Sequence, residues 1–354
     1  MMRVVVTGAT GNVGSAVVAA LVARGDVDVV GVARRCPDWQ PGAVEWRQAD
    51  VASDPLDPLL AGADAVVHLA WLIQPVRDVP ALHAANVSGT RRVAESAARV
   101  GVEAFVHASS VGAYAPGPKD DPVAEDWPAT GVPGSLYSQQ KAQVEGWLDR
   151  FEQGHPALRV VRIRTGLVFQ EGAASEIARY FLGPLLPSPL VARMVPIVPA
   201  NPELAFQAVH ASDAADAYVR AALGTARGAF NVAADPVLRG AELARSLHAT
   251  TVTVPPGVLR AAAAATFRLH LQPTSPGWVD LAQAVPVMDC ARARVELGWH
   301  PARSATGALD DLVAGFADRA GMATPPLRPG GGGRLMTPEP WPTQPETAHS
   351  PGRA

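Results

Sequence analysis

The chain has 354 residues, 48% of them hydrophobic, and a formal net charge of −3 with a pI near 6.3. That length and apolar content support one large or two smaller cores, while the charge balance, with no cluster of Lys and Arg, excludes the basic field that a nucleic-acid partner needs. Cys36 and Cys290 lie far apart without C-x-x-C spacing, so neither a disulfide framework nor a metal site is expected.

The first residues run straight into a strand without the features of a signal peptide, and no apolar run is long enough to cross a bilayer. A cytoplasmic protein with no membrane partner is expected. The run Arg3-Val4-Val5-Val6 precedes Thr7-Gly8-Ala9-Thr10-Gly11-Asn12-Val13-Gly14, and Ala16 to Val22 follows with helical spacing. A β-branched run, glycines at intervals of three and an Ala/Val/Leu segment read as strand, tight turn and helix start. Glycine permits positive φ and close approach of a ligand, and the helix start offers free N–H groups and the positive end of a dipole. The turn is therefore predicted to seat the pyrophosphate of a dinucleotide, with Thr7, Gly8, Gly11, Asn12, Val13 and Gly14 around it.

A second strand is expected over Val27 to Ala33, ending at Arg34 and Arg35. An acidic residue at this distance from the glycines takes ribose hydroxyls, whereas arginine suits a 2′-phosphate, so the sequence favours NADP(H), with NAD(H) possible. Val44 to Gln48 reads as a short third strand leading to Asp50 and Val51 at the expected adenine edge, and Asp64 to Ala70 as a buried fourth, where His68 reads as a strand-end core residue. The helical pattern from Leu82 to Val100 is broken at Asn86 to Thr90, and a fifth strand, Ala104 to Ala108, runs into Ser109 and Ser110. Five alternations of strand and helix predict an α/β fold with a doubly wound parallel sheet.

The Pro- and Gly-rich stretch Gly112 to Ser135 reads as a long loop, Ser135 to Leu148 as a helix, and Ala157 to Arg164 as a sixth strand. Beyond it proline becomes frequent, as expected of a smaller lobe that still interleaves with core elements at Asp213 to Leu223 and Ala229 to Val232. Pro255 to Leu269 and Thr306 to Ala320 read as helices. The expected organisation is a dinucleotide-binding domain over 1–170, a substrate lobe over 171–320 with 205–232 returning to the core, and a disordered Pro/Gly-rich tail over 321–354.

Tyr137 and Lys141 stand four apart on a predicted helix and share one face. A tyrosine hydroxyl has a pKa of about 10, and bringing it towards 7 takes roughly 4 kcal/mol, which a neighbouring ammonium and a cationic nicotinamide can supply. Tyr137 would then be the general acid/base during hydride transfer, and Lys141 would also bind the nicotinamide ribose. Ser110, at the end of a strand, would donate to the substrate oxygen.

With these motifs in place the chain resembles an extended short-chain dehydrogenase/reductase of the NAD-dependent epimerase/dehydratase family. The match runs through Thr7-Gly8-x-x-Gly11-x-x-Gly14, Asp50-Val51, His68-Leu69-Ala70, Asn86-Val87-x-Gly89-Thr90, Ser109-Ser110 and Tyr137-x-x-x-Lys141, and on to His210 to Asp213, Phe230-Asn231-Val232 and Glu296-Leu297-Gly298-Trp299. The resemblance implies a Rossmann-type sheet with a smaller C-terminal substrate lobe. It also implies Ser110, Tyr137 and Lys141 as catalytic triad, Asn86 as a helper, Leu69 and Ala70 beside the cofactor, and a homodimer built on the helices carrying Asn86 and Tyr137. The sequence departs from the family where substrate is read. Val111-Gly112 replace an acidic pair used in dehydration, Arg164 to Phe169 lacks the Asn and Tyr of sugar-nucleotide epimerases, Phe206 to Val209 lacks their arginine, and Trp71 replaces an alanine. The expected activity is NAD(P)-dependent hydride transfer on a small-molecule secondary alcohol or ketone. The alternatives are a nucleotide-sugar epimerase holding NAD and a non-catalytic dinucleotide sensor.

Overall fold

The computed structural model describes residues 1–74, 77–182, 188–194 and 196–329. Strands β1 (Met2–Thr7), β2 (Val27–Ala33), β3 (Glu45–Gln48), β4 (Ala65–His68), β5 (Ala104–Ser110) and β6 (Arg159–Thr165) alternate with helices α1 (Asn12–Arg24), α2 (Asp57–Leu60), α3 (Val79–His83), α4 (Gly89–Arg99) and α5 (Leu136–Gly154). Then come β7 (Leu167–Phe169), α6 (Ala174–Ile177), α7 (Ser188–Met194), β8 (Ile197–Ala200), β9 (Phe206–His210), α8 (Ala211–Leu223), β10 (Gly228–Val232) and β11 (Ala234–Leu238). The remaining elements are α9 (Gly240–Ser246), β12 (Thr250–Thr253), α10 (Pro256–Arg268), α11 (Pro276–Ala284), α12 (Ala291–Glu296) and α13 (Ala305–Asp318).

Seven strands form one parallel sheet in the order β3-β2-β1-β4-β5-β6-β10. The apolar runs read in the sequence are buried on both faces because alternate side chains serve opposite layers. Val4, Val6, Val67, Val106 and Val161 pack with α1 and α8, whereas Val5, Val66, Phe105 and Val160 pack with α4 and α5. Each such side chain contributes about 1.5–3 kcal/mol by leaving water.

The strand order reverses beside β1, whose neighbours are β2 and β4. The crevice therefore opens at the carboxyl ends of β1 and β4. There the Leu69 N–H donates to the Thr7 carbonyl at 3.0 Å and brings the two loops together.

Two local expectations change. The break at Asn86 to Thr90 is no interruption: Ala84–Ser88 form a π-helical turn joining α3 to α4. The disorder expected from Gly321 onward is corrected for 321–329. Leu327 and Thr324 are fully buried there, the Met322 and Leu327 backbones pair at 2.9 Å, and Ser175 Oγ donates to the Ala320 carbonyl at 2.7 Å. One apolar anchor and a few backbone bonds suffice, and a composition count does not register them. The remainder of that tail, 330–354, lies outside the described residues.

Beyond β6, strands β7, β9 and β11 form a small sheet whose Ala208, Ala234 and Leu238 pack on Leu309, Leu312 and Phe316 of α13. Of the stretch 205–232, α8 packs on α1 and β10 pairs with β6.

Candidate active site

The turn after β1 is shaped by close backbone approach. Gly8 has φ of +70°, and a Cβ there would lie 2.6 Å from the Ala70 nitrogen; a Cβ on Gly14 would lie 2.1 Å from the Gly8 oxygen. Both positions therefore need glycine. Gly11 is the N-cap of α1, no side chain caps the helix, and its first turn carries no acidic residue. Its leading amides thus keep their capacity for an anion, and the residues present fit a dinucleotide's pyrophosphate.

Asn12 and Thr7 have other partners. Asn12 Nδ2 donates to the Val168 carbonyl at 2.9 Å and its Oδ1 accepts from Gln170 at 2.9 Å, which pins the turn to β7 and the segment after it. The Thr7 hydroxyl bonds His68 Nδ1 at 2.7 Å, and His68 Nε2 lies 2.9 Å from Thr90 Oγ1, which donates to the Asn86 carbonyl. Because that hydroxyl's proton is used, His68 must donate from Nε2 and accept at Nδ1. Burial first, and the Lys141 charge second, push the imidazole down to about 3, so His68 is a neutral core residue as its strand position suggested.

Around the adenosine end, Arg34 and Arg35 are exposed, with no ion pair among the described residues. Asp50 Oδ1 accepts from the Ala52 N–H at 2.9 Å within its own loop, and Val51 is buried with its carbonyl held by Arg92 at 3.1 Å. Val13, Leu69 and Ala70 are half-buried along the crevice.

On α5, Ser135 caps the helix start and Ser138 fixes the preceding loop by donating to the Gly112 carbonyl at 2.5 Å and accepting from the Val132 N–H at 2.6 Å. This sets Tyr137 against the end of β5, where its ring and Ser110 Oγ both border Gly112: a Cβ there would lie 2.9 Å from Tyr137 Cε1 and 3.3 Å from Ser110 Oγ. Ser110 Oγ accepts from the Gly112 N–H at 3.0 Å, which leaves its proton free to point at the phenol oxygen. Burial raises the Tyr137 hydroxyl above its usual range and the neighbouring Ser110 hydroxyl opposes that rise. Burial likewise holds Lys141 well below the usual lysine range, countered by the Glu145 carboxylate one turn on. In the protein alone the phenol is therefore raised, against the expected fall, because burial outweighs the Ser110 hydroxyl, and the Lys141 Nζ stands 5.8 Å from the phenol ring.

Lys141 differs from expectation in a second way. Its Nζ donates to the Ala108 carbonyl at 2.6 Å and sits 3.3 Å from the ring centre of Trp71. The indole covers the ammonium that the sequence assigned to a ribose. Asn86 does not reach Tyr137 or Lys141 directly. Its Oδ1 accepts from the Leu72 N–H at 2.7 Å, and its Nδ2 donates to the Leu72 carbonyl at 2.9 Å and to Gln140 Oε1 at 2.8 Å. The π-helical turn thus clamps the loop after β4 to α5, a recurrent use of such turns at functional sites.

Residues 4–233 match the family described as NAD dependent epimerase/dehydratase. The chain belongs to that family. An uncharacterized protein of Mycobacterium tuberculosis is 27% identical over 326 residues, and the chain spans 91% of itself but 31% of that relative's length. L-arabinose 1-dehydrogenase (NAD(P)(+)) of Haloferax volcanii is 30% identical over 198 residues, covering 51% of this chain and 75% of that enzyme. Among solved structures, the Thermus thermophilus UDP-glucose 4-epimerase complex with NAD superposes with a TM-score of 0.66 at 22% identity, covering 89% of this chain and 99% of that one. At that identity it shows a shared fold.

Several family motifs turn out to be fasteners. Trp299 is fully buried and its Nε1 donates to the Asp213 carbonyl at 2.7 Å, tying the end of α12 to α8. Asn231 accepts from the Tyr114 hydroxyl at 2.6 Å and donates to the Asp289 carbonyl at 2.9 Å, which folds the long loop back on β10. Lys119 is not in the site; its Nζ donates to the Ala205 and Ala282 carbonyls at 2.9 Å each.

The sequence reading did not find Trp278 and Phe181. Trp278 lies 5.0 Å from the Tyr137 ring and 5.1 Å from Phe181, centre to centre. Its helix carried a start signal, Ser275 followed by Pro276 in the first turn.

Proposed function

We propose that this family member is an NAD(P)-dependent oxidoreductase that interconverts a secondary alcohol and a ketone. The observation that carries the reading is Tyr137, set beside Ser110 around Gly112 at the carboxyl end of β5, at the same edge of the sheet as the Gly8 to Gly14 turn. When bound, the nicotinamide supplies or accepts the hydride. Gly8, Gly11, Asn12, Val13 and Gly14 would hold its pyrophosphate with backbone amides, Asp50 and Val51 would border the adenine, and Leu69 and Ala70 would line the other wall. Arg34 and Arg35 favour a 2′-phosphate and so NADP over NAD; dissociation constants for NADPH and NADH check that order.

Tyr137 delivers its proton to the carbonyl oxygen in the reductive direction and takes it back in the oxidative one. The raised phenol keeps it protonated and ready to donate in the reductive direction. The Ser110 hydroxyl holds the same oxygen, Lys141 biases the phenol once Trp71 shares its ammonium, and Asn86 keeps the Leu72 loop in place.

Tyr137→Phe keeps the ring and removes the proton. We expect kcat to fall by about 10²–10⁴-fold with coenzyme binding unchanged. Wild-type turnover by this variant would falsify the assignment. The second reading, a nucleotide-sugar epimerase that retains its NAD, is favoured by the likeness to the Thermus enzyme. Reduced coenzyme accumulates stoichiometrically under the first reading and not under the second.

A further inference from the structure

Beside Tyr137 a small cavity is lined by Leu72, Ile73, Leu82, Leu136 and Trp278, with Ser135, Gln140 and Ser275 as its polar members. Among the described residues no charged side chain lines it. Three arginines of this region are committed elsewhere: Arg179 to the Pro326 carbonyl, Arg260 to Asp280, and Arg77 to the Phe267 ring. A diphosphate brought here would lose its hydration with no cation to replace it, a cost of several kcal/mol.

The cavity measures about 20 Å³, room for one water. A substrate must therefore displace Trp278 from the Tyr137 ring, which forfeits an aromatic contact of about 0.5–1.5 kcal/mol beyond the area it buries. A flat apolar ring of the substrate's own restores that contact without the loss of hydration that sugar hydroxyls would suffer against this mostly apolar lining.

One polar feature of the cavity has no partner. Asn86 Oδ1 is fixed as acceptor by the Leu72 N–H, so the atom facing Gln140 is its Nδ2 donor, and the Gln140 atom that meets it must be Oε1. Gln140 Nε2 is then a donor, buried, on a residue only 3% exposed, with no hydrogen-bond partner among the described residues. Leaving such a group unmatched costs about 1–3 kcal/mol, so it marks a place for an acceptor.

We propose that the substrate is an uncharged ketone or alcohol with an aromatic or similarly flat apolar body, held against Trp278 and the Tyr137 ring, and carrying a second oxygen that accepts from Gln140 Nε2. This rests on the hydride-transfer reading above but names what the pocket takes. Gln140 is then a specificity-determining residue.

The test has two arms. Calorimetry on the Tyr137→Phe protein with NADPH present measures binding without turnover, using acetophenone, 2-hydroxyacetophenone and UDP-glucose as probes. We expect 2-hydroxyacetophenone to bind most tightly and UDP-glucose least. UDP-glucose binding as tightly as either ketone, or no binding of either ketone, overturns the proposal. The second arm compares wild type with Gln140→Glu, which keeps the acceptor for Asn86 and removes the free donor. KM for 2-hydroxyacetophenone should rise about tenfold or more while that for acetophenone moves little. Equal rises for the two ketones refute the role of Nε2. If the ketones bind and no coenzyme is consumed, the hydride-transfer reading fails and the pocket assignment stands.

Discussion

At the residue scale the site is decided by what each side chain is allowed to touch. Gly112 shows this best, because a Cβ there would sit 2.9 Å from Tyr137 Cε1 and 3.3 Å from Ser110 Oγ. An acidic residue at position 112 is thus also excluded by space, since any side chain there would push on the Tyr137 ring. Gly112→Ala should lower kcat by about 10²-fold through misplacement of the phenol while coenzyme affinity stays at its wild-type value. Steady-state kinetics beside a coenzyme titration separate the two effects, and an unchanged kcat would show that Tyr137 tolerates the shift. Tyr137, Lys141 and Ser110 were legible in the sequence because helical spacing and strand ends place them. The indole over Lys141 was not, because Trp71 follows a strand in a loop, where no periodicity fixes a direction.

At the element scale, helices orient the chemistry and their burial changes its titration. α5 carries Tyr137, Lys141 and Glu145 at intervals of four, and the fully buried Glu145 is held by Arg164 at 2.9 Å and by Ser109 at 2.5 Å. On α6, burial raises Glu176 to about 7, with the Tyr180 hydroxyl donating to it at 3.2 Å. A carboxyl raised in the folded state binds its proton more tightly there than in the unfolded chain. Its stabilisation is fully present below pH 4.5, the ordinary value, and is lost as pH rises through about 7. The loss is on the order of 3 kcal/mol. Glu176→Gln should therefore melt at nearly the same temperature as wild type at pH 5 and at a higher one at pH 8. A parallel pH dependence of the two melting temperatures would count against a buried, proton-retaining Glu176. The strands and helices of the sheet were legible to within a few residues because their apolar patterns are long. The small β7-β9-β11 sheet was not, since strands of three to five residues leave too short a pattern.

At the scale of the whole molecule, we propose a homodimer built on the helices carrying Asn86 and Tyr137. Light scattering should give twice the chain mass of 36.8 kDa; one chain mass at micromolar concentration would rule this out. Among the described residues no helix is long and apolar enough to cross a membrane. The sequence by itself determined the parallel sheet, the glycine turn at its switch point and the Tyr137–Lys141 pair, because each follows from short-range rules of spacing, backbone freedom and burial. Only the tertiary structure decided that Trp71 covers Lys141, that Trp278 closes on Tyr137 and that Gln140 keeps an unmatched donor. Those contacts join residues between 54 and 141 positions apart, and which distant segments meet depends on how the whole chain packs rather than on any local pattern.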